Sequence, residues 1–438
     1  MLTLQNITNA FVKVSHDGRT LLADPWVSEG IFDGGWSPFP PIQDPQGALA
    51  TCDYLYISHI HEDHFDLQAL KQLPRSCKVV VLDMFPNHII QKCLAKLGFR
   101  DVTMLPPFTP LDVDDLTIEV IPPMNMFAQE LEYYQKGRET VAVDASAAVT
   151  WGGVKILLLN DNSPYDQSLL KPHLSRLQHC DLLALNYNGA ADDYPVCYRG
   201  ISEADKIRLS DQRDRKKFDA TCKLIDLLKP KAVMPYSSEF SVRGRQARAF
   251  ARIKASFYND KQKMADALAQ ASGVQTVYAY ESDRLKIDRE GIQKVAGESI
   301  SVTLAERAEA LFWDRPNYAD RFPKVPSVEQ IDALADRAAE HMFHFMERLN
   351  LNSEWVLKVY FADAAEPIVV DLHNRRRVKH CPADRKTLSC FTDTRYLGAL
   401  FERHAHWNNA TISYNLEWQR RPNEYDPFLY DSLNFFHV

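Results

Sequence analysis

The sequence predicts an α/β fold, because apolar runs of strand length alternate with helical stretches along most of the chain. Two such runs flank the turn signal Asp17-Gly18 and predict a β-hairpin near the start. The runs Asp53–Ser58 and Lys78–Leu82 have the length and composition of buried strands, and a helical stretch near Leu67–Leu73 separates them. Strands and helices that interleave in this way predict an α/β protein with layers of helix, sheet, sheet and helix.

The alternation continues to about residue 287. A helix is predicted near Pro86–Leu97, where Gly98 ends it, and a polar helix near Ser202–Leu228. A turn at residues 151–153 leads into the apolar run Val154–Asn160, which ends at Asp161. The other predicted strands are Leu116–Ile121, Thr140–Thr150, Asp181–Asn186, Ala232–Pro235, Val274–Tyr278 and Arg284–Ile287.

Residues 326–438 are predicted to form a second, α+β unit. It opens with an amphipathic helix and continues with strands near Trp355–Ala362 and Pro367–Asp371. We therefore expect two domains, 1–295 and 326–438. The second is either a small domain with its own core or an element that docks on the first and covers its site. The apolar stripe of its helix consists of Ile331, Leu334, Ala338, His341, Met342, Phe345 and Leu349.

The composition is that of an ordinary globular protein, with 45% hydrophobic and 25% charged residues in a chain of 438. The net charge of −7 disfavours a nucleic-acid partner, so a small-molecule substrate is the expectation. No uncharged apolar run approaches the ~18 residues that span a bilayer, and the first residues do not read as a leader. The eight cysteines are scattered without a C-x-x-C pair. We expect a cytoplasmic chain with reduced thiols and no membrane partner; a homo-oligomer is compatible with these observations.

One motif carries most of the chemistry: His59-Ile60-His61-Glu62-Asp63-His64, directly after a predicted strand. Imidazole and carboxylate are the usual ligands of divalent first-row metals. Two histidines two residues apart point the same way from an extended backbone, and Asp63 and His64 then turn toward a second metal position. The alternative is a solvated histidine-rich loop. Three histidines within six positions are improbable in a chain with only 14, so we predict metal ligands.

The motif resembles the H-x-H-x-D-H signature of the metallo-β-lactamase fold superfamily. The resemblance implies a metallo-β-lactamase-like αββα sandwich, here with an additional C-terminal α+β domain. It also implies that His59 and His61 serve one metal, that Asp63 and His64 serve the other, and that Asp161 bridges both. The alternative for Asp161 is a turn or cap residue, since Asn, Ser and Pro follow it. A long buried strand that ends on a carboxylate favours the ligand role.

Two histidines of that superfamily pattern are missing. Between His64 and Asp161 the only histidine is His88, in a helical stretch, and Ser237 stands where the late histidine is expected. The site is therefore either incomplete or completed by carboxylates. The candidates for this role are Glu130, Glu132, Glu139, Asp144 and Glu239, each of which is individually more typical of a surface charge.

A closer resemblance runs over roughly residues 20–245. ADPW at 23–26, Gly35-Trp36, YISHIHEDH, KILLLND, YNGAADDYP and KPKAVMPYSSEF occur in the order found in the catalytic region of the CMP-N-acetylneuraminate hydroxylase family. That family joins a Rieske domain to a metallo-β-lactamase-like domain. The chain starts directly at the latter and lacks Rieske ligands. The resemblance thus implies electrons from a separate electron-donor protein or from the substrate.

The predicted substrate-binding residues follow two later strands. Asn186, Tyr187, Asn188 and Gly189 come after one strand, where α/β folds place ligand-binding loops, although a plain turn is equally compatible. Tyr236 and Ser237 follow the other. Val27–Gly47, rich in Gly, Pro and aromatic residues, is long enough for a binding loop.

Three classes of function remain open. The first is a non-haem iron oxygenase or hydroxylase with two iron ions, which acts on a small polar or anionic metabolite. Carboxylate-rich ligand sets suit iron better than zinc. The second is a Zn- or Mn-dependent hydrolase of a phosphoester, lactone or amide. The third is a binding protein with a decayed metal site, which the intact motif disfavours. We rank the oxygenase first, with Asp63 and Asp161 as its catalytic carboxylates.

Overall fold

The computed structural model describes residues 1–83, 88–124, 144–188, 193–256, 259–297, 303–362 and 364–438. Within them, two large sheets form the first part of the chain, and a smaller sheet forms the last part. A two-stranded ribbon, Trp36–Pro38 with Phe240–Val242, lies in the loops of the first part.

The first large sheet contains the strand that leads into the H-x-H-x-D-H motif. The predicted hairpin is present: Phe11–His16 pairs antiparallel with Arg19–Ala23, and both turn residues have positive φ, 46° at Asp17 and 76° at Gly18. Arg19–Ala23, Tyr54–Ile57 and Lys78–Leu82 are parallel neighbours. In spatial order the strands are Ile292–Val295, Arg284–Ile287, Leu2–Thr8, Phe11–His16, Arg19–Ala23, Tyr54–Ile57, Lys78–Leu82 and Val102–Leu105.

The second large sheet contains three parallel strands whose carboxyl ends lie near the candidate site. Val154–Leu158, Leu182–Asn186 and Ala232–Tyr236 run parallel, so their carboxyl ends lie at one edge. In spatial order the strands are Gln275–Thr276, Ala232–Tyr236, Leu182–Asn186, Val154–Leu158, Ser146–Trp151, Leu116–Ile121 and Leu111–Val113.

The two sheets face each other across one apolar core. Tyr56 from the first sheet and Ile156 from the second belong to this shared cluster. The alternate residues Leu55 and Leu157 point outward and pack under helices on the two outer faces. Strands covered on both faces are apolar throughout, which is why they read as continuous runs. The predicted α/β/β/α layering, with an additional C-terminal α+β unit, is confirmed.

The C-terminal unit has a five-stranded sheet, with strands in the order Arg376–Arg377, Ile368–Asp371, Val356–Phe361, Thr387–Thr392 and Glu417–Arg421. Its first helix begins at Val328, after a capping box at Ser327, and ends at Arg348. The buried side of this helix joins a core cluster that also contains Trp26, Trp36 and Phe240 from the first part of the chain. The units 1–295 and 326–438 therefore share apolar packing, and their division into two domains stays a prediction.

The helices cover the outer faces and fill the C-terminal unit. The predicted polar helix spans Glu203–Leu228. The strand predicted to reach residue 160 ends at Leu158. Among the described residues, none of the helices has the length and apolar character needed to cross a bilayer. The other helices are Ile31–Gly34, Pro45–Leu49, Leu67–Gln72, Ile89–Lys96, Leu174–Leu177, Ala247–Ile253, Lys261–Ser272, Leu304–Leu311, Val328–Arg348, Thr394–Phe401, Trp407–Ile412 and Pro427–Leu433, with 3₁₀ turns at Ser168–His173 and Gly244–Gln246.

Candidate metal centre

The H-x-H-x-D-H motif leaves the carboxyl end of the strand Tyr54–Ile57 and folds back as a tight turn. The carbonyl of His61 accepts hydrogen bonds from the backbone N–H groups of His64 and Phe65, at 2.9 and 2.7 Å. The turn brings the ring of His64 back beside that of His59, with ring centroids 4.1 Å apart. The imidazoles predicted to be ligands therefore converge at one end of the first sheet.

A first donor group contains His59, His61 and Asp144. Nε2 of His59 lies 2.8 Å from Nδ1 of His61 and 3.6 Å from Oδ1 of Asp144. One atom from each of the three residues lies within 4.8 Å of the other two. Two imidazoles and one carboxylate thus face a common point. Asp144 is one of the carboxylates that the sequence offered as a replacement for a missing histidine.

A second donor group contains His59, His64 and Asp161, and it borders Asp63. Nε2 of His64 lies 3.2 Å from Oδ2 of Asp63 and 3.2 Å from Oδ2 of Asp161. The His64 side chain is fully buried, and its Nε2 makes no hydrogen bond within the part of the chain that the structure describes. A buried nitrogen between two carboxylates therefore marks the centre of this group.

The tautomer of His64 explains why this arrangement fits a metal ion. Its Nδ1 lies 2.6 Å from Oδ2 of Asp24, and an ionised carboxylate only accepts hydrogen bonds. Nδ1 therefore carries the proton, and Nε2 of a neutral ring presents a lone pair toward Asp63 and Asp161. A lone pair and two anionic oxygens repel one another unless a cation lies between them. The residues present thus fit a divalent metal, with Asp24 orienting the ligand from behind.

The pKa values of His59 and His64 shift in opposite directions. Burial, together with neighbouring His64 and His61, holds the pKa of His59 well below its ordinary value, so the ring is neutral and able to bind a metal. Burial opposes protonation of His64, but Asp63, Asp161 and Asp24 outweigh it and raise the pKa of His64 well above its usual range. The three carboxylates therefore favour a positive charge at Nε2 of His64, supplied by a proton or by a metal.

Asp161 is placed by the turn after Val154–Leu158, and Asn160 in that turn has a φ of 54°. Ser237, which stands where the superfamily pattern has a histidine, donates a hydrogen bond from Oγ to Oδ1 of Asp161 at 2.7 Å. Burial opposes ionisation of Asp161, yet the neighbouring rings of His64 and His59 and the hydrogen bond from Ser237 lower its pKa. Asp161 is therefore an anion beside His64, and its bridging role stays a prediction.

Asp24 was not predicted as a site residue. It is fully buried, and besides His64 it accepts hydrogen bonds from Ser58 N–H at 2.7 Å and from the side-chain amide of Asn160. Asp24 thus ties the turn of the first sheet to the turn of the second. The sequence pattern could have pointed to Asp24, because this carboxylate directly follows the apolar run Arg19–Ala23, just as Asp161 follows an apolar run.

The remaining candidate residues lie either outside both donor groups or outside the described residues. Glu239 is buried in an ion pair with Lys261, 2.9 Å away, and accepts a hydrogen bond from the hydroxyl of Tyr187 at 3.1 Å. Neither donor group includes it. His88 lies 3.7 Å from Asp83 in a half-exposed pair and is likewise outside both groups. Glu130, Glu132 and Glu139 lie outside the described residues.

The predicted substrate-binding residues lie at the edge of the second sheet. Tyr236 is fully buried, and its hydroxyl contacts the backbone N–H of Asn160 at 2.7 Å. Asn186 is buried, and its Oδ1 accepts no hydrogen bond from the described residues. The carbonyl of Asn188 accepts one from Nζ of Lys217 at 2.6 Å. Gly189 lies outside the described residues. The substrate role of this set stays a prediction.

Lys217 is a further residue that the sequence did not single out. It is buried on the helix Glu203–Leu228. Burial lowers the pKa of Lys217 to about 8, opposed by the negative charges of Asp161, Asp214 and Asp144. Lys217 interacts electrostatically with one carboxylate of each donor group and so brings a positive charge to the metal centre. The sequence did not indicate this role, because Lys217 lies within a mostly polar helix.

The C-terminal unit also reaches the motif. On the helix Trp407–Ile412, the amide nitrogen of Asn408 lies 2.8 Å from Nε2 of His61. The amide of the next residue, Asn409, donates to Oε1 of Glu62 at 2.9 Å. Both bonds join residues 347 positions apart in the chain.

The fold follows from this arrangement. Two sheets face each other, the histidine motif follows a strand of the first sheet, and Asp161 follows a strand of the second. The chain has a metallo-β-lactamase fold. The predicted resemblance to CMP-N-acetylneuraminate hydroxylases is also confirmed. The chain is 24% identical over 248 residues to the cytidine monophosphate-N-acetylneuraminic acid hydroxylase of Danio rerio, an alignment that covers 55% of this chain and 38% of that protein.

A second kind of relative carries an iron–sulfur name. A protein of Mycobacterium tuberculosis strain H37Rv named as a Rieske 2Fe-2S iron–sulfur protein is 28% identical over 216 residues, which is 49% of this chain and 40% of that protein. The chain spans about 40% of the length of the curated relatives it matches. No protein-family model matches the metallo-β-lactamase-fold chain.

Solved structures with a similar fold include a hydroxylase and a hydrolase. CmlA, a diiron β-hydroxylase from Streptomyces venezuelae, aligns with a TM-score of 0.42 and 16% identity, over 65% of this chain and 53% of that one. Igni18, a metallo-hydrolase from Ignicoccus hospitalis, aligns with a TM-score of 0.44 and 15% identity, over 66% of this chain and 99% of that one.

Proposed function

We propose that this chain is a metal-dependent enzyme, a non-haem diiron oxygenase or hydroxylase that acts on a small polar or anionic metabolite. The donor chemistry carries the proposal. The donor group of His59, His61 and Asp144 consists of two histidines and one carboxylate, the combination typical of non-haem iron oxygenases, and the second donor group shares His59 with it. Asp63 adds a further carboxylate beside His64. A site rich in carboxylates and without thiolates favours iron over zinc.

The named relatives support the same class. The chain shares several separated segments with proteins named as hydroxylases, and it shares about half its length with proteins named as Rieske iron–sulfur proteins. For the electrons of this reaction we propose a separate electron-donor protein as the source.

The chain's own residues would hold the metal ions, orient the substrate and balance the charge of the site. His59, His61 and Asp144 would hold one ion, and His64, Asp63 and Asp161 the other. Bound iron would supply the activation of dioxygen. Asp63 and Asp161 would offset the charge of the cations, and the ammonium group of Lys217 would attract an anionic group of the substrate toward Asn186 and Asn188. Asn408 contacts the motif at His61 from the C-terminal unit.

The metal content of the purified chain tests this proposal. We expect up to two equivalents of iron by elemental analysis after expression without added metal, with visible absorption under air. His61→Ala should lose at least one equivalent and still fold, because the core between the sheets lies elsewhere. His88→Ala is the matched control, since His88 is outside both donor groups, and it should retain the full content.

The hydrolase alternative gives a different result. The same donors could lower the pKa of a bound water on Zn or Mn and polarise a scissile bond. Protein that contains zinc or manganese, takes up no dioxygen and hydrolyses a phosphoester, lactone or amide would replace the oxygenase assignment. Unchanged metal stoichiometry in His61→Ala would overturn the metal centre itself.

A further inference from the structure

The ring of His61 is held from outside the metallo-β-lactamase fold. Its Nδ1 faces Nε2 of His59, and its Nε2 faces the side-chain amide of Asn408 at 2.8 Å. Asn408 belongs to the short helix Trp407–Ile412 of the C-terminal unit. One candidate ligand therefore has its outer nitrogen fixed by a residue 347 positions away in the chain.

The chemistry of the two nitrogens gives this contact a role. A neutral imidazole has one N–H and one lone pair, and only the nitrogen with the lone pair binds a metal. In the structure the amide nitrogen of Asn408 faces Nε2 of His61, and the amide oxygen takes that position when the amide turns by 180°. With its oxygen toward His61, Asn408 accepts the N–H of Nε2, so Nδ1 is left with the lone pair on the side of His59 and Asp144.

We infer that Asn408 is a positioning residue that fixes the tautomer and ring orientation of His61, so that the C-terminal unit completes the donor group of His59, His61 and Asp144. The inference rests on the metal centre of the proposed function. It adds that this centre is not made by the metallo-β-lactamase fold alone.

The second donor group is supported differently. Nδ1 of His64 is fixed by Asp24, which lies directly after Arg19–Ala23 in the first sheet. The two metal positions therefore differ in the charge behind their histidines, a carboxylate behind His64 and a neutral amide behind His61. They also differ in origin, because within the described residues the support of His61 comes from the C-terminal unit and that of His64 from the first sheet.

The helix that carries Asn408 is well anchored. Nε1 of Trp36 donates to the carbonyl of Ile412 at 2.8 Å, and Nε1 of Trp407 donates to the carbonyl of Phe436 at 2.7 Å. Asn409, the neighbour on the same helix, binds Glu62, which also accepts the backbone N–H of Phe32 at 2.7 Å. Asn409 contacts the motif without touching a candidate ligand, so it is a matched control.

Cobalt titration of the full-length chain tests the inference. After removal of metal by a chelator, Co²⁺ is added and its visible spectrum is followed for wild type, Asn408→Ala, Asn408→Asp and Asn409→Ala. We expect two Co²⁺ in wild type. Asn408→Ala should weaken one of them by roughly 10- to 100-fold, the range typical of residues that support a ligand, and leave the other unchanged.

The conservative and control variants separate positioning from packing. Asn408→Asp should bind Co²⁺ nearly as wild type, because its carboxylate still accepts the ring N–H, and Asn409→Ala should bind both ions normally. The inference is overturned if Asn408→Ala binds both ions as wild type does, or if Asn409→Ala shows the same loss. A wild-type chain that binds no Co²⁺ overturns the proposed function as well, which distinguishes the two failures.

Discussion

Four aspartates surround three imidazoles at the candidate metal centre. Asp24, Asp63, Asp144 and Asp161 each lie within 3.6 Å of a nitrogen of His59 or His64. Such a concentration of negative charge at a mostly buried place is costly unless cations balance it. Two divalent ions would do so and would also occupy the lone pairs of the histidines.

Asp161 offers the sharpest test of this balance. Asp161→Asn keeps the size and the hydrogen-bonding capacity of the side chain but removes the charge that a bridging ligand needs. We expect a severe loss of metal loading and of turnover, measured by elemental analysis and by substrate-dependent dioxygen uptake. Asp166→Asn is the control, because Asp166 caps a nearby turn by accepting the N–H of Ser168. Near-normal metal in Asp161→Asn would show that Asp161 is a turn residue.

The sequence predicted residues whose signal is local and missed those whose role depends on distant contacts. His59, His61, Asp63 and His64 lie within six positions, so the motif alone pointed to them. Asn408 has no such signal, since its significance arises only when a helix from the other end of the chain packs on the motif.

The helix Trp407–Ile412 is the element on which the support of His61 depends. His406 caps its start, since Nδ1 accepts the N–H of Asn408 at 3.3 Å. Burial, together with Arg403, His437 and His61, lowers the pKa of His406 to about 4. This cap therefore works only while the ring is neutral.

The stability of the metal-free chain should consequently depend on pH through His406. The unfolded chain binds this proton at about pH 6.5 and the folded chain only near pH 4, so the free energy of unfolding falls as the pH drops between these values, by up to roughly 3 kcal/mol. His406→Asn keeps a capping acceptor and removes the titration. Urea unfolding at several pH values should show a flatter dependence for the variant. Equal slopes for both chains would contradict the prediction.

The ends of elements show what a sequence pattern leaves out. The apolar run that predicted a strand to residue 160 includes Leu159 and Asn160, yet the strand ends at Leu158. Asn160 instead adopts a positive φ and binds Asp24, 136 residues away. The pattern located the strand correctly, but the turn that aims Asp161 depends on that long-range bond.

The metallo-β-lactamase-like part and the C-terminal unit are joined by one apolar core. Trp36 stacks on Phe240 with ring centroids 3.6 Å apart, and both belong to the cluster that contains Met342 and Trp418 of the C-terminal unit. Polar contacts reinforce it: the hydroxyl of Tyr396 donates to Oδ2 of Asp33 at 2.8 Å. The buried side of the helix Val328–Arg348 belongs to this same cluster.

Removal of residues 326–438 should therefore damage the metal centre as well as the fold around it. It would expose the Trp36 and Phe240 side of the shared core and would delete Asn408 and Asn409, the partners of His61 and Glu62. We expect a truncated chain that aggregates or, where it stays soluble, binds about one metal equivalent fewer than the full chain, at the position of His61. Elemental analysis and light scattering measure both effects, with the full-length Asn408→Ala chain as the reference for metal loss without loss of the core. A truncated protein that stays soluble, binds the full complement of metal and turns over substrate at the full rate would instead show that the C-terminal unit is an independent appendage.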